Sequence, residues 1–158
     1  MPTDLDAAEG LVRIRIVLDR APDEAGPTED AVWAEPLGSE RFRVESCPFF
    51  AYGLSRDDVV RAAGPQGAGA PVLEDVLEKS GHRTLRLVLA HGAALETTSV
   101  QHLLERLVGL GCTHELLRPS LVAIDVPAVA DLGRVAETLQ EAAAQGVLAW
   151  EWADPRPS

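Results

Sequence analysis

The stretch "TSVQHLLERLVGLG" (98–111) restricts the fold more than any other part of the chain. It opens with Thr98-x-x-Gln101, a capping-box pattern in which two side chains satisfy backbone N–H groups left unpaired at a helix start. Val100, Leu103, Leu104, Leu107 and Val108 follow at helical spacing, and Gly111 stands where helices commonly end in a left-handed residue. A second stretch, "DLGRVAETLQEAAAQG" (131–146), has Asp131 as N-cap and Gly146 at its end. Between them, "CTHELL" (112–117) and "LVAIDV" (121–126) flank "RPS" as a hairpin. "TLRLVLA" (84–90) precedes the first helix and "VLAWEW" (147–152) follows the second. The order β-α-β-β-α-β is that of a split βαβ or ferredoxin-like unit. Right-handed crossovers place both helices on one face of a four-stranded antiparallel sheet.

The first half alternates instead. In "LVRIRIVL" (11–18), Val12, Ile14, Ile16 and Leu18 oppose Arg13 and Arg15, a strand with one wet face. "DRAPDEAGPTED" (19–30) has no period and reads as an exposed acidic loop. "AVWAEPL" (31–37) and "RFRVESC" (41–47) form a hairpin about "GSE", with Gly38 at the turn, and "DDVVRAA" (57–63) is β-prone. "PVLEDVLEKS" (71–80) fits a short helical stripe as well as an alternating strand; the turn that "SGHR" makes into the next strand favours the strand. The expected class is α+β: a small antiparallel, barrel-like sheet at 11–81, then a ferredoxin-like part at 82–153, with tails at 1–10 and 154–158.

Charge and composition narrow the function. The 158 residues carry a net charge of −11, with the acid excess mostly in 1–81. That opposes phosphate backbones and anionic membranes, whose binding relies on Lys and Arg. RNA-binding sheets stack bases on aromatics of the central strands; the central candidates "TLRLVLA" and "LVAIDV" have none, and Trp150 and Trp152 on the last strand read as core or edge packing. No nucleic-acid or membrane partner is expected. The polar, acidic N-terminus is unlike a signal peptide and no apolar run is long enough to span a bilayer, so a cytoplasmic protein is expected. Cys47 and Cys112 match no metal spacing, nor do His82, His91, His102 and His114. There is no G-x-G-x-x-G, no G-x-S-x-G and no Walker pattern, Lys79 being the single lysine. No cofactor or metal is expected.

"RFRVESCPFFAYGLSRDDVV" (41–60) sets Phe49, Phe50 and Tyr52 beside Cys47 in a chain only 4% aromatic. A catalytic thiol needs a lowered pKa, and no His is near in sequence, although His82 or His91 could approach in space. Cys47 therefore reads as a packed thiol. Successive side chains of an extended loop alternate, so one of Phe49 and Phe50 is expected to plug the small barrel and another ring to lie on the surface. Asp57 and Asp58 read as solvated turn charges.

"AVWAEPLG", "CPFFAYGLSRDDVV", "SGHRTLRLVL", "GC" and "LVAIDVP" occur in this order, and together they resemble a bacterial family known as a domain of unknown function. The resemblance covers about residues 11–152 and implies no activity. The chain departs from the family pattern at Ser46–Cys47, where an Asn is usual, which counts against Cys47 as a shared nucleophile. Carried over residue by residue, the pattern points to Trp33, Glu35, Pro48, Phe49, Phe50, Tyr52, Gly53, Asp58, Gly81, His82, Thr84 and Arg86. Glu35, His82 and Arg86 have chemistry to spare. With Arg83 beside His82, the candidate binding residues are Trp33, Glu35, Phe49, Phe50, Tyr52, His82, Arg83 and Arg86. The expected function is a non-catalytic accessory protein of regulatory or immunity type, binding a protein or small ligand. The alternative is a small enzyme with a site between the halves, His82 acting as acid/base with Cys47 or Glu35.

Overall fold

The computed structural model describes residues 10–18, 26–64, 70–90, 98–118 and 120–154. Most of both expected tails, most of the 19–30 and 64–70 loops, and His91 lie outside these residues. The described residues form β1 (Val12–Val17), β2 (Glu29–Gly38), β3 (Arg41–Val44), β4 (Val59–Ala63), β5 (Val72–Glu78), β6 (Arg83–Leu89), α1 (Thr98–Gly109), β7 (Thr113–Arg118), β8 (Leu121–Val126), α2 (Leu132–Ala144) and β9 (Leu148–Asp154).

Strands β1 to β5 close into a barrel in chain order. The alternation that marks Ile14 and Ile16 continues in Val32 and Ala34 of β2, Val44 of β3, and Val60 and Ala62 of β4, all buried in one cluster. Each Val or Ile so buried contributes about 1.5–3 kcal/mol. Five strands make a narrow bore, and the small Ala34 and Ala62 leave room in it for these larger side chains. The barrel pairs antiparallel except at its seam, where β1 meets β5 in parallel with Arg15 opposite Val72. The expectation of a wholly antiparallel first sheet is corrected there: five strands in up-and-down order point their first and last members the same way. The β2–β3 hairpin turns through Ser39 (φ 56°) and Glu40 (φ 63°), both left-handed. Two positive φ values match the twist of the flanking strands, although Asn-Gly would take them at less cost.

The second sheet has the order β7-β8-β6-β9. One face carries Leu85, Leu87 and Leu89 of β6 and Val122, Ile124 and Val126 of β8, packed on Val100, Leu103, Leu104 and Leu107 of α1 and Val135 and Leu139 of α2. Helix α2 starts on Asp131, whose side chain accepts the Arg134 N–H at 3.2 Å. Helix α1 ends through Gly111 at φ 99°, with the Cys112 N–H turned back to the Leu107 carbonyl at 3.0 Å. No described helix is long and apolar enough to cross a membrane.

The α+β, ferredoxin-like assignment is corrected. Strand predominates across the chain, a closed five-stranded barrel makes up its first part, and the second sheet is not a clear ferredoxin-like unit. A ferredoxin-like sheet carries helices on one face and leaves the other free. Here the opposite face is covered along part of its length by the loop that follows β3. The periodicities locate single elements but say nothing of what covers a sheet's second face.

Candidate functional site

The covering loop runs from β3 to β4 and is fixed by two carboxylates. Asp30 Oδ2 accepts three successive backbone N–H groups, from Phe49 at 2.9 Å, Phe50 at 2.8 Å and Ala51 at 3.0 Å. Asp58 is fully buried and accepts from Ser55 N–H at 2.9 Å, Ser80 N–H at 2.8 Å and Lys79 Nζ at 2.6 Å. Lys79 also donates to the Gly53 carbonyl at 3.0 Å. Asp58 is thus a structural anchor, not the solvated turn charge that "RDD" suggests; its charge is matched by the chain's single lysine.

Held this way, the loop turns Ala51 and Leu54 into the barrel core. This corrects the expected ring plug: Ala51 and Leu54 are the loop residues that join the barrel core, and Phe49 and Phe50 stay half-buried outside it. The loop lies along the outer face of β6. Thr84 is buried where its Oγ1 donates to the Leu54 carbonyl and meets Ser55 Oγ at 3.0 Å. Arg86 is buried where its Nη2 donates to the Ala51 carbonyl at 2.8 Å. Val88, next on that face, is 52% exposed because the loop no longer covers it.

A cleft of about 330 Å³ opens at that point. Phe49, Phe50 and Tyr52 form the loop side, Arg86 and Val88 the floor, and Leu121, Trp150 and Glu151 the border. The Arg86 guanidinium sits 4.6 Å from the centre of the Tyr52 ring, a cation–π contact. The Tyr52 hydroxyl bonds both Glu151 oxygens, at 2.9 and 3.0 Å. Desolvation first, and the Glu151 carboxylate second, hold the Tyr52 phenol above its ordinary range. Glu151 stands directly across from Arg86 in the β6–β9 register, and its carboxylate comes within 3.4 Å of Arg86 Nε. Even so, buried Nε and Nη1 of Arg86 have no hydrogen-bond partner among the described residues. A buried donor left in that state costs about 1–3 kcal/mol, so the pair requires a physical reason.

A separate polar cluster lies beneath the loop's start. His82 Nδ1 contacts the buried Asp125 at 2.8 and 3.1 Å, and its Nε2 is 3.4 Å from Asp57. Asp57 takes φ 66°, left-handed for a residue with a Cβ. Glu115 accepts the Cys47 N–H at 2.8 Å. Burial, then the neighbouring carboxylates of Glu115 and Asp125, push the Cys47 thiol well above its ordinary value. Burial also raises the Glu115 carboxyl. A thiol kept protonated in this way is a poor nucleophile.

The candidate residues of the sequence thus divide. Phe49, Phe50, Tyr52 and Arg86 come together in the cleft. His82 goes to the Asp125–Asp57 cluster, and the half-buried Arg83 precedes Thr84 on β6. Trp33 and Glu35 alternate with the inward Val32 and Ala34 on the outside of β2; Glu35 pairs with Arg43 across the hairpin. Sequence reasoning missed Glu151, Val88, Leu121 and the part of Trp150 that reaches the cleft. The alternation in "AWEW" does place Glu151 opposite the two Trp, which meet edge to face at 6.0 Å. That Glu151 would oppose Arg86 depends on the strand order.

Fold and site together define a mostly-β protein: a closed barrel whose end loop and the helix-free face of a second sheet enclose a ring-lined cleft. The chain belongs to the family described as Domain of unknown function (DUF4265), whose model matches residues 30–150. The fold is shared with a hypothetical protein of Neisseria gonorrhoeae solved by crystallography, at 13% identity and a TM-score of 0.74, covering 94% of this chain and 97% of that one. No curated protein matches in sequence.

Proposed function

We propose that the chain is a non-catalytic binding module, an accessory or regulatory protein of the cytoplasm, whose ligand enters the cleft between the 47–53 loop and the second sheet. One observation carries this reading. Ala51 and Leu54 close the barrel, so the rings of Phe49, Phe50 and Tyr52 are displayed beside the exposed Val88 instead of being needed as a plug. Displayed rings next to a guanidinium are the usual anchors of a recognition surface. The ligand is a small molecule or a side chain offered by a protein partner. Both cysteines are free and buried, which suits a reducing compartment.

Titration with indole, followed by amide NMR, tests the reading. Shifts should concentrate at 47–53, 86–88 and 149–151, and Phe50→Ala should weaken binding about tenfold, the effect of losing a ring anchor. The reading fails if shifts are absent or scattered over the surface. It also fails if Phe50→Ala unfolds the protein, because the ring would then be architecture.

The enzyme reading stands second on one observation, the imidazole of His82 oriented by Asp125. Its other nitrogen faces Asp57, and the nearby Cys47 thiol is held protonated. His82→Gln separates the readings: under the first, indole binding is unchanged.

A further inference from the structure

The cleft contains one cation among its described lining residues, Arg86, and that cation is incompletely bonded. Its Nη2 is engaged by the Ala51 carbonyl, whereas Nη1 and Nε have no hydrogen-bond acceptor among the described residues, the Glu151 carboxylate standing 3.4 Å from Nε. The side chain is buried. Over it lies Tyr52, which is 61% exposed and tethered through its hydroxyl to the exposed carboxylate of Glu151. Tyr52 thus covers the guanidinium through contacts that solvent can readily replace. The apolar surface alongside belongs to Phe49, Phe50 and Val88.

We propose that this cleft selects a small monocarboxylate with a flat apolar body: its carboxylate accepts from the unpartnered Nη1 of Arg86, Tyr52 swings aside as a displaceable cover, and the apolar body lies against Phe49, Phe50 and Val88. The inference rests on the binding-module reading and names the ligand class for the same site. A planar guanidinium matches a carboxylate in geometry. Glu151 already faces Arg86, so a monocarboxylate entering the cleft leaves one negative charge in excess. A dianion such as a phosphate monoester would leave two, in a chain of net charge −11. The overall field repels anions, so recognition comes from contact with Arg86 and not from long-range steering. In the free protein Glu151 occupies the position nearest to the incoming carboxylate and competes with it.

The test compares phenylacetate, phenylacetamide and phenyl phosphate by amide NMR and by the ring signals of Tyr52, which are unambiguous because the chain has a single tyrosine. Phenylacetate should bind at 47–53 about tenfold tighter than phenylacetamide, a difference of about 1.4 kcal/mol. Phenyl phosphate should bind more weakly than phenylacetate, and the Tyr52 ring should shift with the carboxylate and not with the amide. Arg86→Gln should abolish the preference, and Glu151→Gln, at an exposed position, should tighten phenylacetate several-fold. Equal binding of phenylacetate and phenylacetamide at the loop overturns the carboxylate inference and leaves the cleft reading standing. The absence of any probe from the cleft ends both. Should Arg86→Gln fail to fold, Glu151→Gln decides: unchanged phenylacetate affinity in that variant overturns the proposal.

Discussion

Asp30→Asn should cost the protein about 3 kcal/mol, and the figure follows from the loop cradle. In the native chain one carboxylate oxygen receives the N–H groups of Phe49, Phe50 and Ala51, while the other receives Ala31 N–H at 2.8 Å. A hydrogen bond to a charged acceptor contributes about 1.5–3 kcal/mol net, roughly twice a neutral one. Asparagine has one acceptor oxygen. Facing the three loop amides, that oxygen keeps the bonds at neutral strength and turns an NH₂ group towards Ala31 N–H. Facing Ala31, it abandons the loop. Three bonds losing half of about 2 kcal/mol each amount to about 3 kcal/mol. At about 2–4 °C per kcal/mol for a chain of this size, Tm should fall by about 6–12 °C. Urea unfolding should show a lower midpoint with the slope unchanged, and amides 49–51 should exchange with solvent faster. A loss below about 1 kcal/mol, or unchanged exchange at those amides, would show that the loop is held by its other contacts and refute the reasoning.

Three further outcomes are expected. Replacing Ser39-Glu40 by Asn-Gly should stabilise the barrel by about 0.5–1 kcal/mol, since both positions are left-handed, and a melt showing no gain would refute the turn strain. Gly81→Ala should destabilise, because φ is 95° and a Cβ there would come within 3.1 Å of Ala128 Cβ; a thermal melt with no loss would contradict it. Burial first, and Asp125 second, hold Cys112 at a pKa of about 11 against an ordinary 9.0. A raised thiol stabilises the fold fully below pH 9 and loses that contribution as pH rises from 9 to 11, so urea midpoints should decline across this window. Cys112→Ala should lessen the decline without removing it, because the raised Cys47 thiol acts in the same direction above pH 9.

How much was legible follows from the range of each signal. Both helices and the alternation of β1, β2 and β6 are written in local periods, and the structure shows these elements where the periods are. Three of the four rings now in the cleft stood out in sequence, because a chain so poor in aromatics gathers them in four residues; Trp150 did not. What Asp30, Asp58 and Glu151 do was not legible. Asp30 acts on residues nineteen to twenty-one positions away and Glu151 on Tyr52 at ninety-nine, separations without a period. The ring plug failed for a steric reason: alternation predicts that some residue of the loop turns inward, and a five-stranded bore accepts Ala51 and Leu54. The fold class failed because the covering of the second sheet by the loop is a tertiary event.

The seam between β1 and β5 has a consequence for how the chain folds. Four of the barrel's five strand pairs join neighbours in sequence, and each closes only a short length of chain. The fifth joins Arg15 to Val72, with the Arg15 N–H donating to the Pro71 carbonyl at 2.8 Å. Bringing ends that distant together is an entropic cost repaid only after the intervening strands have zipped, so the seam is the last joint to form. With one registered pair, it is also where the cylinder unclasps first. Asp30 lies on β2, the neighbour of β1, and grips the loop that walls the cleft. Breathing at the seam therefore reaches the cleft through a single intervening strand pair.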